Sequence, residues 1–566
     1  MSHDDLEADR IRPVGPRLVS PPSRPSTDTP GGSTAAATGP RRAGAGRDDA
    51  SSDVPDDGGV HDLPVETRRA PAFDVSGLPE FEVTLTGASH GGEAVGRHEG
   101  IVTFVAGALP GEVATVRITG RRPAWIRGIA TGITGDSPDR TSPACEHFGR
   151  CGGCHWQHAS DAAQLAIKSQ VLRDQLTRLG GVVDPSIAPP VPSPNPRNYR
   201  TTIQLVPGTG PRGARTLNFQ AAAVPFGPYA GDDPATAGHG ANLHAIEACP
   251  IAVPDINRAI AALPWDAVPL LTWQRLEGIV IRYAPPVAGM SSVVSRLREL
   301  APKPVRGRTT PPGPVRDEQG VAHGIQVTFV CRAPVARADL RPFVQAAPVA
   351  VPDLAGVLVA RNRGHHGTLL WGAPALAYEV GEDLLAVPAG AFFQVNVPAA
   401  TLLIDRVREW LAPTASSQVI DAYAGVGLFS VSLAPHVGAV VAIESDDAAA
   451  TGAYHNVTTL GRTNINVLHE SVEDALPRLA RGEAVVDRLL ILDPPRKGVE
   501  EAVIEAIGLL APVRIAYVSC EPATLARDVR RLAAHGYRVV RTGVIDLFPQ
   551  TYHVESVTIL ERVSDG

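Results

Sequence analysis

Ile515-Ala-Tyr-Val-Ser-Cys-Glu-Pro-Ala-Thr-Leu525 is the stretch from which the fold of this 566-residue chain is read. A short run of strand character ends at Cys520. Pro522 then opens a segment in which Leu525, Val529, Leu532 and Ala533 return to one helical face. Proline suits the first turn of a helix, where its missing N–H costs nothing. Cys520 is therefore expected at the tip of a strand, facing a helix N-terminus. Open α/β sheets place ligands there, and the helix dipole favours a thiolate. A lone cysteine is more often an inert core residue, and the adjacent Glu521 opposes thiolate formation. The surrounding chain has to decide between the two.

Two further stretches bear on that choice. Leu489-Leu-Ile-Leu-Asp-Pro-Pro-Arg-Lys-Gly498 is an apolar strand ending in an acid and a turn. Asp546-Leu-Phe-Pro-Gln-Thr-Tyr-His-Val-Glu-Ser556 leads into a strand whose alternation puts Glu555 on the face of Val557 and Ile559. Burial raises a carboxylate's pKa and makes it a usable proton acceptor. Together the three stretches resemble the RNA 5-methyluridine (uracil-C5) methyltransferase family, with its DPPR-x-G, Y-x-S-C-N-x-x-T and D-x-F-P-Q-T-x-H-x-E patterns. One departure is Glu521, which stands where the family usually has Asn.

From about Leu384 strands and helices alternate, the mark of a doubly wound sheet. Val419-Ile-Asp-Ala-Tyr-Ala-Gly-Val-Gly427 runs from a strand into a Gly-x-Gly turn, and Ala439-Val-Val-Ala-Ile-Glu444 ends in an acid 17 residues after Gly427. Such an acid grips ribose hydroxyls. With Asp493 it makes acids at successive strand tips beside a glycine turn. That suits a cationic sulfonium, S-adenosylmethionine, better than a dinucleotide, since the turn has no pyrophosphate to hold. The resemblance further implies Gln394 (in Phe392-Phe-Gln-Val-Asn396), Tyr423, Glu444 and Asp493 as cofactor-binding positions. Leu428 and Ser471 differ from the polar residue and the Asn that some members carry.

Other segments divide the rest of the chain. Residues 1–77 are rich in Pro, Ser, Gly, Asp and Ala without an apolar period and read as a disordered tail. Residues 78–141 carry short glycine-broken strands and read as a small barrel. Gly91-Gly-Glu-Ala-Val-Gly96 and Ala108-Leu-Pro-Gly-Glu112 resemble a TRAM domain, an OB-like RNA-binding module. Arg117, Arg121, Arg122, Arg127 and Trp125 would supply phosphate contacts and a stacking surface. Residues 142–383 form a β-rich central domain with Pro/Gly/Ala-rich insertions near 207–241 and 302–320, read as surface loops. Gln164-Leu-Ala-Ile-Lys168, in a helical run, matches a family Q-L-x-x-K. The resemblance implies that residues 384–566 form a class I S-adenosylmethionine-dependent methyltransferase domain.

Cys145, Cys151 and Cys154 stand in one glycine-bearing loop with five and two residues between them. Three thiols so close call for a metal or cluster, and Cys249-Pro250 is the best fourth ligand, whereas Cys331 lies in an apolar strand and reads as core. Four thiolates suit zinc or [4Fe–4S], and spacing does not choose. The resemblance implies [4Fe–4S], because cluster-bearing members share C-x5-C-x2-C with a distant Cys-Pro.

Net charge is −7, and residues 1–75, with 13 acidic and 9 basic groups, contribute −4 of it. Any RNA site is therefore a local basic patch rather than bulk charge. Six cysteines in so long a chain, three of them within ten residues, point to a reduced compartment, and the absence of an apolar N-terminal run points away from a signal peptide. The expectation is a cytoplasmic monomer without a membrane span.

The chemistry follows from the base. Uracil C5 is a poor nucleophile until a thiolate adds at C6; it can then accept a methyl group, after which a base must remove its proton. Cys520 and Glu555 are the candidates for those two roles. The resemblance implies structured RNA as substrate, with large-subunit (23S) ribosomal RNA favoured over the tRNA T-loop. Two rivals are an RNA cytosine-C5 methyltransferase, which usually has Pro-Cys where this chain has Ser519-Cys520, and a catalytically inactive RNA-binding or ribosome-assembly factor.

Overall fold

The structure, a computed structural model, describes residues 75–563 except 76, 136, 211–213, 221–242, 288–320, 362–366 and 484. The tail at 1–77 and most of the two insertions therefore lie outside the described residues, residues 75 and 77 aside.

Five strands, β1 (Phe81–Ala88), β2 (Ala94–His98), β3 (Ile101–Ala106), β4 (Val113–Arg122) and β5 (Trp125–Thr134), close into a barrel in the order β1-β2-β3-β5-β4. Its interior is filled by Val83, Leu85, Ala94, Val105, Ala114 and Val116. Arg117, Arg121 and Arg127 are exposed. The Arg127 guanidinium is already engaged: it pairs with Glu93 at 2.6 Å and lies over the rings of Phe104 and Trp125.

A central seven-stranded sheet runs β13-β12-β11-β9-β6-β7-β8, from β6 (Thr202–Thr209), β7 (Arg215–Gln220), β8 (Leu243–Ala245), β9 (Leu276–Ala284), β11 (Gly324–Cys331), β12 (Leu354–Ala360) and β13 (Thr368–Gly372). Three strands, β10 (Val321–Ala322), β14 (Ala375–Val380) and β15 (Asp383–Pro388), form a small separate sheet. Cys331 is buried in the core of the central sheet with Phe329 and Phe343. The first insertion begins later than its proline and glycine content implies, because Pro207 and Gly208 lie within β6. There β6 has left β9, which it pairs with only from Thr202 to Leu205, so proline's missing N–H falls on the unpaired side while its other side pairs with β7.

The C-terminal sheet runs β18-β17-β16-β19-β20-β22-β21, from β16 (Gln418–Ala422), β17 (Ala439–Glu444), β18 (Ile465–His469), β19 (Arg488–Leu492), β20 (Arg514–Ser519), β21 (Tyr537–Ile545) and β22 (Glu555–Arg562). Only β22 runs antiparallel to its neighbours. This is the doubly wound sheet expected from residue 384 onward, buried on both faces, and its strands read accordingly as near-continuous apolar runs. Strand order reverses between β16 and β19, which opens the ligand crevice at their carboxyl ends. Because β22 is reversed, its first residue arrives at the same edge as the last residues of the parallel strands.

Helix α1 (Asp161–Arg178), which sequence places with the central domain, packs against the helix that follows β20. Its N-cap Ser160 accepts from Ala163 N, and Val171, Leu172 and Leu176 join the core on that face of the sheet. Its inner face also carries Gln164 and Lys168, both buried, into the loop between β21 and β22.

Candidate active site

Three strand ends converge at that edge. Cys520 follows β20 directly, and the Ser519↔Ser556 register sets it beside Glu555, the first residue of β22. Asp493 follows β19, whose neighbour β20 carries the thiol. Glu555 is buried and its carboxyl sits well above the ordinary carboxylate range, because burial opposes its charge and Asp493 repels it, while Arg496 pulls the other way. Cys520 is half-buried. Its thiol is also pushed up, by burial first and then by Glu555, Asp493 and Glu521; Arg496 alone opposes them. The expected lowering by the helix terminus is thus outweighed in the ligand-free protein.

Arg496, assigned no role from sequence, is the cation that faces this centre. Its loop is held from the helix Pro522–Ala534: buried Asp528 accepts from Val499 N at 2.8 Å and from Tyr517 Oη at 2.8 Å, and is paired to Arg527 at 2.9 Å. Arg496 Nη2 stands 3.4 Å from His553 Nδ1. His553 is buried with Nε2 lacking a hydrogen-bond partner, and burial holds it well below its usual pKa, so it is neutral.

The neighbouring strand tips carry the other acids. Glu444 accepts from Gly425 N (2.8 Å) and Asp446 N (2.7 Å), which ties the end of β17 to the turn after β16. That turn needs left-handed backbone at Tyr423 (φ 65°), Gly425 (φ 58°) and Gly427 (φ 89°). Tyr423 Oη donates to Glu473 at 3.2 Å. Asp421 within β16 is fully buried; one carboxylate oxygen accepts from Ser430 N at 2.9 Å, and the other has no partner. Burial raises Asp421 to about 7, and burial together with Asp421 raises Asp493 to about 7. A buried carboxylate oxygen without a donor, beside a second acid whose pKa burial also raises, is the environment a sulfonium cation would relieve. Sequence singled out Glu444 and Asp493 but passed over Asp421, although an acid inside Val-Ile-Asp-Ala was the available signal.

Gln394 is buried in the loop before the helix Val397–Leu411. Asn396 caps that helix through Ala399 N and donates to Leu547 O at 3.0 Å. The segment Asp546–Gln550 is held from three more sides. Lys168 Nζ pairs with Asp546 at 2.7 Å and donates to Phe548 O at 2.9 Å. Tyr199 Oη donates to Pro549 O at 3.0 Å. Gln164 accepts from Gln550 N at 2.8 Å. Three dispersed segments, carrying Gln164 and Lys168, Tyr199, and Asn396, thus meet on the loop that delivers Glu555.

The cysteine loop ends against the same segment, with His155 N and Trp156 N donating to Gln550 O at 2.9 and 3.1 Å. Burial pushes up the thiols of Cys145, Cys151 and Cys154, and Cys249 lies near enough to add to the rise in each. None of the four is in a disulfide, and Cys151 Sγ accepts from Gly153 N at 3.4 Å. Among the described residues no group of three or more His, Cys, Asp or Glu side chains is arranged to hold a metal ion. The donor chemistry, four thiols with a backbone N–H donor, fits a thiolate-bound cluster; closed coordination geometry is not seen.

Residues 384–563 match the family model for tRNA (uracil-5-)-methyltransferase, and residues 79–130 match the TRAM domain. An RNA methyltransferase of Thermosynechococcus vestitus is 32% identical over 493 residues, covering 85% of this chain and 97% of that protein. The chain belongs to the RNA uracil-C5 methyltransferase family. A 23S rRNA (uracil(1939)-C(5))-methyltransferase RlmD of Pseudomonas aeruginosa is 30% identical, covering 89% of this chain and 98% of that one. The crystal structure of Pyrococcus abyssi tRNA (uracil-54, C5)-methyltransferase with S-adenosyl-L-homocysteine shares the fold, with a TM-score of 0.57, 21% identity, and coverage of 85% and 100%. As a family member the protein is an RNA (uracil-C5) methyltransferase that uses S-adenosylmethionine.

The raised carboxyls give this uracil methyltransferase a pH signature. Acids raised to about 7 are largely protonated below that pH, and a bound cation favours their ionised form. Cofactor binding should therefore release protons below about pH 7, and S-adenosylmethionine affinity should rise as pH climbs towards about 7, by up to about tenfold per pH unit for one linked proton, and level off above it. S-adenosylhomocysteine, whose sulfur is neutral, should show a shallower slope in calorimetric titrations. Equal slopes would separate these acids from the sulfonium.

Proposed function

We propose that the protein methylates C5 of a uridine in 23S ribosomal RNA through a covalent adduct on Cys520, with Glu555 as the base. The observation that carries this reading is the β20–β22 register, which sets a thiol and a buried carboxylate of raised pKa side by side at the strand edge. Cys520 Sγ adds to uracil C6, and the electron pair of the C5–C6 double bond moves into an enolate. S-adenosylmethionine supplies the methyl group to C5. Glu555 then takes the C5 proton; the double bond re-forms and expels the thiolate. Arg496 is the positive group that draws Cys520 towards its ionised form. Gln394, Tyr423, Glu444 and Asp493 hold the methyl donor, and the flipped base is approached from the Cys520 side.

Ribosomal RNA is favoured because two relatives of matching length, from Pseudomonas aeruginosa and Alkalilimnicola ehrlichii, are named for 23S rRNA at 30% and 29% identity, against 21% for the Pyrococcus abyssi tRNA enzyme. Mapping 5-methyluridine in total RNA of a strain lacking the protein tests this. Loss of one large-subunit site is expected, and loss confined to the tRNA T-loop would overturn the assignment.

Cys145, Cys151, Cys154 and Cys249 would hold a [4Fe–4S] cluster that braces the loop before Glu555. Protein purified without oxygen should be brown, with about four irons per chain. Ser substitution at any of the four should bleach it, whereas Cys331→Ser keeps the colour. Colourless protein with stoichiometric zinc would replace the cluster with a zinc site.

A further inference from the structure

The residue after the nucleophile is a carboxylate in this chain. It repels a neighbouring thiolate, yet it is not left free. Glu521 Oε1 lies 2.7 Å from Nε2 of His90, which stands in the β1–β2 turn of the barrel. His90 Nδ1 is buried without a hydrogen-bond partner, so Nε2 is the ring nitrogen through which His90 makes its polar contact. The turn is anchored independently of the pair. Trp156 Nε1 donates to Gly92 O at 2.9 Å, and a Cβ at Gly92 would come within 3.1 Å of Tyr552, whose ring meets His90 edge-on. The barrel therefore presents its imidazole to the catalytic loop from a fixed position.

We propose that His90 is a positioning residue for methyl transfer, binding the Glu521 carboxylate and holding it off the Cys520 thiol, so that docking of the barrel sets the reactivity of the nucleophile. This rests on the reading of Cys520 as the nucleophile. The groups facing the thiol are Glu521 on its own loop, Glu555 on β22, and Asp493 and Arg496 after β19. Of these, Glu521 is the acid whose charge the barrel disperses.

The test is the pH dependence of Cys520 alkylation by iodoacetamide, read by mass spectrometry of the Cys520 peptide, in the full-length protein. It reports the thiol itself, so it stands apart from the RNA-methylation assay of a Cys520→Ala variant, which tests whether that thiol is the nucleophile. In His90→Ala the alkylation rate at pH about 7.5 should fall about 3- to 10-fold, with the profile displaced to higher pH. His90→Gln, which keeps an N–H donor, should stay near wild type. Glu521→Asn, with the barrel untouched, should alkylate faster than wild type, and adding His90→Ala to it should change nothing. An unshifted profile in His90→Ala, or the same slowing in the Glu521→Asn background, would overturn the proposal and make His90 a packing residue.

Discussion

Methyl transfer by the Cys520→Ala variant should fall by more than about 10⁴-fold, because the uncatalysed alternative is direct attack by a C5 that is not nucleophilic. S-adenosylmethionine binding should survive. Glu444 and the Tyr423–Gly427 turn lie on other strands, and Glu444 is held by Gly425 N and Asp446 N without help from the thiol. The check is a paired measurement of methyl incorporation and calorimetric cofactor affinity on one preparation. Substantial activity with alanine at 520 would remove the nucleophile from the account. Loss of both readouts would show that the thiol supports the fold instead.

The second large effect is on stability. Lys168 is fully buried, and burial lowers its pKa while Asp546 alone opposes that shift. Lys168→Met would leave Asp546 buried with its cation gone, a loss worth about 3–5 kcal/mol when one partner of a buried pair is removed. It would also free Phe548 O and loosen the loop that leads to Glu555. Thermal unfolding should shift down clearly, and turnover should fall more than cofactor affinity does. Adding Asp546→Asn should recover part of the stability, since the stranded charge is then gone. An unchanged midpoint in the single variant would mean that the pair contributes no net stability.

How much of this was legible in the sequence depends on how local each signal is. Cys520, Asp493 and Glu444 each end a strand whose apolar run precedes them in the chain, so position and chemistry could be read together. Glu555 was found by alternation, although residues 555–560 are buried on both faces of β22; the alternation was incidental and its motif the true signal. The strands of the barrel were readable because their alternation survives in short windows, and those of the doubly wound sheet because each is a short apolar run ended by a turn or an acid. The clamp on Asp546–Gln550 was not. Lys168 and Asp546 lie 378 positions apart, and neither residue indicates its partner. The pairing of Glu521 with His90 was hidden for the same reason, although Glu521 itself stood out beside Cys520. Of the upward shift of the Cys520 thiol only the part from the adjacent Glu521 was legible, since burial, Glu555 and Asp493 act from elsewhere in the chain.

The central claim is that Cys520 forms a bond to the target base and Glu555 releases it. Denaturing electrophoresis of protein–RNA mixtures tests it most directly. Target RNA carrying 5-fluorouridine should trap wild-type enzyme as a covalent adduct after methyl transfer, because fluorine cannot leave as a proton. Glu555→Gln should form a comparable adduct on ordinary uridine, and peptide mass should place both on Cys520. The account predicts both slow-migrating bands and their absence in Cys520→Ala. Methylated product from active wild-type enzyme with no adduct on either RNA would contradict it.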